Sequence, residues 1–168
     1  LSVSAWESIP PSGETGLASG EDTNRDDDVE LIELNTPFKF YNTDYTDFYL
    51  STNGWIRFGE SSEPSSDTHE TVEKFEDRKL ICFLWDDLNP SSDGHIYHKY
   101  ISTTNTNDTF VIVFVQVHEF STSNDNSVEI RLHLNNSATV DIGKIELEYG
   151  KIKNTTDGII GISNGAGG

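Results

Sequence analysis

Hydrophobic and polar residues alternate along much of this chain, most clearly over residues 37–59, PFKFYNTDYTDFYLSTNGWIRFG. The two-residue period predicts three consecutive strands at 37–41, 45–51 and 55–59. The intervening residues 42–44 and 52–54 are rich in turn-forming side chains. We therefore predict a β-meander with an apolar face formed by Phe38, Phe40, Phe48, Leu50, Ile56 and Phe58.

The second turn of this meander sets the strand register. A two-residue loop would place Leu50 opposite Arg57 and mix apolar and polar side chains on both faces. A three-residue loop at 52–54 instead places Leu50 opposite Ile56 and Tyr49 opposite Arg57. We therefore expect a three-residue hairpin turn in which Gly54 has a positive φ.

Further strands are expected at 29–34, 79–85, 94–102, 110–120, 127–134, 140–142, 144–149 and 158–163. The one predicted helix covers residues 68–79, with Asp67 as its N-cap and with Val72 and Phe75 toward the core. The predicted fold is all-β, a mostly antiparallel, jelly-roll-like sandwich of two sheets with at most one short helix. We expect a single domain over 1–168: an N-terminal strand and loop at 1–20, the sandwich core at 21–164 and a tail at 165–168.

The charge is strongly acidic, with a formal net charge of −18 at pH 7. Nucleic acids and anionic membrane surfaces attract basic proteins, so the charge argues against both as partners. The longest apolar runs are too short to cross a bilayer, so membrane insertion is not expected. The single Cys82 lies in the apolar run LICFLW, which is typical of a buried core residue. The start at Leu1 and the lack of Met suggest a processed or excised piece of a longer protein.

The same meander resembles nidogen-type extracellular modules and related secreted proteins of bacteria and archaea. The resemblance covers roughly residues 20–164, with different loop lengths over 60–78. It implies a secreted, non-enzymatic β-sandwich that serves as one module of an adhesion or cell-surface protein, and it transfers no catalytic residues. The matching pieces are 37–41, Tyr45-Thr46, Tyr49, Ser51, Asn53-Gly54 and Phe58-Gly59, then Trp85-Asp86-Asp87-Leu88, with 145–150 and 158–164 as the last strands.

Acidic and amide residues recur at alternate positions of residues 21–28, EDTNRDDD. Asp22, Asn24, Asp26 and Asp28 have the spacing of calcium ligands in a binding loop. The segment differs from an EF-hand, because Asp27 stands where the turn-forming glycine belongs and no helix flanks the loop. Two interpretations stay open, an irregular calcium loop on the sandwich and a solvated acidic loop.

A second candidate site is the outward face of the meander, where Tyr45, Tyr49, Trp55 and Arg57 share one parity. Aromatic side chains beside polar groups could stack against a sugar, which motivates a carbohydrate-binding module, with or without calcium, as the alternative function. The same side chains could equally pack beneath a loop or a neighbouring chain. We favour this interpretation, because residues 31–36 or the predicted helix could cover the same face. Three N-glycosylation sequons, at Asn107, Asn135 and Asn154, are about as many as the composition gives by chance.

The main hypothesis is an extracellular structural or adhesive module, repeated or polymerised with other copies or neighbouring domains. Catalysis is not expected, because the adjacent Asp86 and Asp87 point to opposite faces of a strand and suit a turn or an ion better than a carboxylate pair. The alternating residues Leu1, Val3 and Ala5, with Trp6, predict a short strand. It could pair within its own domain or add to the sheet of another copy as an assembly strand.

Overall fold

The structure, a computed structural model, describes residues 16–18, 26–62, 64–66, 71–91, 94–103, 106–135, 142–153 and 158–166. For residues 16–18, 102–103 and 106–108 it describes the backbone alone. This part of the chain contains strands β1 (Gly16–Ala18), β2 (Val29–Phe40), β3 (Thr43–Ser51), β4 (Trp55–Arg57), β5 (Lys79–Trp85), β6 (Leu88–Asn89), β7 (His95–Thr103), β8 (Thr106–Glu119), β9 (Asp125–His133), β10 (Ile145–Tyr149) and β11 (Ile159–Asn164), and the helix α1 (Val72–Glu76).

The strands form two antiparallel sheets, which confirms the predicted β-sandwich. Sheet A has the order β1-β7-β8-β9-β10, with the short β6 also paired to β8, and sheet B has the order β11-β5-β4-β3-β2. Most neighbours in each sheet are consecutive strands, whereas the pairs β1–β7, β6–β8 and β5–β11 join strands that are separated in the chain. β1 lies inside the segment that the sequence predicted to be a loop.

The register of the β3–β4 hairpin is the predicted one. Leu50 pairs with Ile56 and Tyr49 with Arg57, and Gly54 has a φ of +79°. The other side of the meander differs from the prediction. The turn between β2 and β3 consists of Tyr41 and Asn42, both with positive φ, so that Thr43 already pairs with Phe40. A two-residue turn of this kind matches the twist of an antiparallel pair.

Two apolar clusters hold the fold together. The larger one lies between the sheets, where Phe83 contacts Phe114 at 4.9 Å between ring centroids and Phe48 contacts Phe110 at 5.7 Å. A smaller outer cluster covers the other face of sheet B, and it consists of Tyr49, Trp55, Leu80, Cys82 and Trp85, with Val29, Phe75 and Ile159 at its margin. Cys82 is therefore a buried core residue, and burial raises the pKa of its thiol.

Hydrogen bonds between the sheets show which of their edges lie together. The Tyr100 hydroxyl of β7 accepts a hydrogen bond from the backbone N–H of Asn35 at 2.7 Å, which places β7 over β2. The Tyr149 hydroxyl of β10 donates to the carbonyl of Phe83 at 2.8 Å, which places β10 over β5. The edges β1 and β2 therefore lie on one side of the sandwich, and β10 and β11 lie on the other.

The helix is shorter than predicted. It begins after Thr71, whose hydroxyl accepts a hydrogen bond from the backbone N–H of Lys74 at 3.1 Å, so Thr71 replaces Asp67 as the cap. Phe75 packs against the outer cluster, as expected. Val72, predicted to face the core, is exposed instead, because five residues form too short a helix to bury both side chains.

Candidate functional site

The tip of the β3–β4 hairpin is buried, which is unusual for a turn. The backbone N–H of Gly54 donates to the carbonyl of Ser51 at 3.2 Å and closes the turn. The carbonyl of Gly54 accepts hydrogen bonds from the N–H groups of Phe83 and Leu84. A Cβ at Gly54 would lie 2.0 Å from the Leu84 carbonyl oxygen, so only glycine allows this approach. The tip therefore sits directly against the end of β5.

Asn53 connects the tip to two other segments. Its Oδ1 accepts a hydrogen bond from the N–H of Leu88 at 2.9 Å, and its Nδ2 donates to Oδ1 of Asp27 at 2.9 Å. Its carbonyl accepts from the N–H of Asp86 at 3.2 Å. Asn53 is fully buried, so these bonds satisfy polar groups that water cannot reach. The Asn-Gly turn, the Trp85–Leu88 segment and the acidic loop thus meet at one residue.

The acidic loop has a second attachment at Thr52. The N–H of Asp28 donates to the Thr52 hydroxyl at 3.0 Å, and the N–H of Thr52 donates to the Asp28 carbonyl at 3.0 Å. Asp27 has a φ of +58°, the left-handed conformation for which an EF-hand loop uses glycine. These constraints turn the Asp26 and Asp27 side chains toward the residues that follow β5.

The result is a group of three carboxylates from Asp26, Asp27 and Asp87, whose oxygens lie within 4.8 Å of one another. The side-chain amide of Asn89 donates to Oδ2 of Asp26 at 2.9 Å. Burial raises the pKa of Asp26, and the neighbouring charges of Asp27 and Asp87 raise it further. A cation would relieve this repulsion, and calcium takes oxygen ligands of this kind. We refer to these three residues as the acidic cluster.

The acidic cluster overlaps only partly with the calcium ligands predicted from the sequence. Asp26 belongs to it, whereas the Asp28 carboxylate accepts a hydrogen bond from the N–H of Val29. Asp22 and Asn24 lie outside the described residues. The spacing rule missed Asp27 and Asp87, because the left-handed turn at Asp27 ends the alternation and Asp87 comes from a distant segment. The sequence favoured a turn or ion-binding role for Asp86-Asp87, and Asp87 contributes one carboxylate to the acidic cluster.

The four residues of the predicted aromatic face do not form one open surface. Trp55 is 1% exposed, and its Nε1 donates to the carbonyl of Ser66 at 3.1 Å. Tyr49 is buried beside Trp55, whereas Tyr45 packs against the ring of Phe58 in the main core. Arg57 is half-buried in an ion pair with Glu60. Trp55 and Tyr49 are therefore covered, as favoured from the sequence, by Phe75 of the predicted helix and by a segment that includes Ser66.

The remaining predicted positions are only partly visible. Asn135 follows β9, and its Nδ2 donates to Oδ1 of Asp44 at 2.7 Å. Asn107 lies in β8, with its backbone alone described, and Asn154 lies outside the described residues. The predicted assembly strand with Leu1, Val3, Ala5 and Trp6 also lies outside them, as do most residues of the predicted strand 140–142. Ile142 itself belongs to a turn.

The two sheets and the buried tip of the β3–β4 hairpin define the class of protein. It is an antiparallel two-sheet β-sandwich module whose motif residues lie around that hairpin tip. Ser51, Asn53-Gly54 and the Trp85–Leu88 segment, which carry the nidogen-type resemblance, all meet there. A family model described as NIDO related matches residues 2–168, and the chain belongs to this family. Neither the curated proteins nor the solved structures include a match. Within the described part of the chain, no helix has the length and apolar character needed to span a membrane.

Proposed function

We propose that this chain is a non-enzymatic structural or adhesive module of an extracellular surface protein, with other copies or neighbouring domains as its partners. The observation that carries this proposal is that the motif residues make hydrogen bonds inside the fold. Asn53 and Gly54 are buried. Asn53 donates to the Asp27 carboxylate of the acidic loop and accepts from backbone N–H groups of the Trp85–Leu88 segment, and the Gly54 carbonyl accepts from backbone N–H groups of β5. They maintain the architecture of the sandwich, as expected of a module selected for shape and stability.

The carbohydrate-binding alternative has lost its main motivation, since Trp55 and Tyr49 are buried. A pocket between β9 and β10 is lined by Glu129, Arg131, Glu146, Leu147 and Glu148, with no aromatic ring among them. Lys144 and His133 donate to Glu146 and lower its pKa to about 2, so this carboxylate keeps its negative charge at neutral pH. A sugar platform needs a ring to stack on, so we do not propose this function.

The proposal can be tested on the native host and on the purified chain. Antibodies raised against the folded chain should label the surface of intact cells. The purified chain should associate with itself or with a flanking domain in sedimentation-velocity runs from micromolar to millimolar concentration. Labelling only after cells are permeabilised would overturn the extracellular assignment. A chain that stays monomeric at every concentration and captures no flanking domain would overturn the structural role.

A further inference from the structure

The two sheets have four outer edges in the described part of the chain, and they differ in their protection against pairing with other strands. β1 is only three residues long. β2 carries Glu30, Glu33 and Lys39, and β10 carries Glu146 and Glu148. Short strands and edge charges are the usual means of preventing edge-to-edge association. Three of the four edges are therefore protected.

β11 has neither kind of protection. Its six residues, IIGISN, carry no charge, and it pairs only with β5 among the described strands. Ile160 and Ile162, two residues apart, are 54% and 50% exposed. An uncharged edge with exposed isoleucines is a template for an additional strand. On a chain with a net charge of −18, such an edge stands out from its surroundings.

The segment Leu1–Trp6, LSVSAW, has the properties that this edge requires. It matches the length of β11, carries no charge, and alternates Leu1, Val3 and Ala5 with serines. One apolar face could therefore contact Ile160 and Ile162 while the serines point away. Because neither strand is charged, their pairing brings no like charges together despite the acidity of the chain.

The distance to β11 favours a segment from another copy. β7 lies over β2, so β1, which pairs with β7, lies one strand spacing beyond β2. A strand added outside β11 would therefore lie six strand spacings from β1, about 29 Å, with about 10 Å between the sheets. The path around the surface is therefore about 39 Å. The ten steps from Trp6 to Gly16 span at most about 33–36 Å when fully extended. A connection within one chain would be too short to follow the surface to β11, whereas a second copy has no such restriction.

We propose that β11 is an acceptor edge to which the segment Leu1–Trp6 of another copy adds as a strand. This inference rests on the proposed structural function and names the contact through which copies assemble. The donor and acceptor surfaces are different, so the contact is head-to-tail and does not close after two copies. Repetition of the contact produces a linear assembly.

Disulfide trapping tests the contact directly. Val3→Cys and Ile162→Cys are made in separate chains with different tags, mixed, and oxidised mildly. We expect a disulfide-linked heterodimer on a non-reducing gel. The matched control replaces Ile162→Cys by Leu31→Cys, at an apolar residue that is 46% exposed on the opposite edge of sheet B. The heterodimer yield with Ile162→Cys should be several-fold higher, and equal or reversed yields would overturn the inference. The native Cys82 is buried and should not compete.

A second pair of variants separates this inference from the proposed function. Ile162→Lys adds an edge charge and should abolish self-association in sedimentation velocity, whereas Leu31→Lys should leave it unchanged. Circular dichroism checks that both variants fold. Association that persists in folded Ile162→Lys would disprove the acceptor edge and leave the structural role in place. Failure of the unmodified chain to associate would overturn the acceptor edge. The extracellular assignment would then still be tested separately by antibody labelling of intact cells.

Discussion

Replacing Gly54 by Ala should destabilise the domain far more than the same replacement at Gly59. The two glycines have nearly the same φ, +79° and +75°, so the backbone penalty of adding a Cβ is about 1–2 kcal/mol at both. Their surroundings differ. A Cβ at Gly54 would lie 2.0 Å from the carbonyl oxygen of Leu84, whereas the nearest atom at Gly59 is Cε1 of Tyr45 at 3.4 Å. Gly59 is therefore a matched control for backbone strain.

The additional effect at Gly54 follows from the bonds that the tip makes. Since no structure tolerates a contact of 2.0 Å, the tip must withdraw from β5. The N–H groups of Phe83 and Leu88 would then lose the Gly54 carbonyl and Asn53 Oδ1 as acceptors. Each buried donor without a partner costs about 1–3 kcal/mol, so the two together add about 2–6 kcal/mol. The total is comparable with the whole stability of a typical domain, about 5–15 kcal/mol.

Urea denaturation followed by tryptophan fluorescence measures this difference, since Trp55 and Trp85 are buried and should report unfolding. Gly59→Ala should lower the midpoint modestly and keep a cooperative transition. Gly54→Ala should lower it much further or leave no folded baseline. Equal shifts of the two midpoints would show that the contact with Leu84 is not a constraint and would refute the role assigned to the tip.

Three further predictions concern the acidic cluster, Glu129 and the buried aromatic cluster. If the acidic cluster binds calcium, millimolar calcium should raise the melting temperature. At a calcium concentration of 100 times the Kd, the free energy of unfolding increases by about 2.7 kcal/mol, and Asp87→Asn should remove this increase. An unchanged melting curve would show that the loop is acidic without binding calcium. Burial raises the pKa of Glu129, although Arg131 opposes this, so its charged form destabilises the folded state at neutral pH. Glu129→Gln should therefore raise the melting temperature at pH 7, with the gain shrinking as the pH falls toward 4.5, and a gain independent of pH would contradict this. Trp55→Ala should lower the melting temperature, and the intact chain should bind nothing on a glycan array, whereas tight glycan binding would reopen the sugar alternative.

The sequence predicted most of the strands but not the short β1 and β6. The predicted strands show local alternation or an apolar run, and the β3–β4 register follows from that alternation and from a glycine that must close the turn. β5 was placed at its observed bounds, since an unbroken apolar run has few other structures available. The β2–β3 turn was misplaced because Tyr41 adopts a positive φ, which a tyrosine rarely does. The pairing of the flanking strands imposes that conformation, and no local signal in the sequence announces it.

The candidate site was harder to predict, because it is made by tertiary contacts. Asp87 is sixty residues away from Asp27, and the side chains of Asn53 and Asn89 bring their segments together. The predicted calcium ligands required an extended segment with alternating side chains over residues 22–28. The left-handed conformation of Asp27 interrupts that alternation. Trp55 looked exposed by parity, yet a segment with no strand signal of its own covers it. Parity gives the face of a sheet and does not tell what lies over it.

The position of β11 also has a consequence for the order in which the chain can fold. β5 pairs on one side with β4, which precedes it closely, and on the other with β11, which begins at Ile159, about 75 residues later. At a synthesis rate of about 5–20 residues per second, the apolar β5 waits about 4–15 s for its second neighbour. A domain with such non-local pairing folds in milliseconds to seconds once complete. Synthesis therefore limits closure of the sheet, and β5 needs shielding from other nascent chains until β11 emerges.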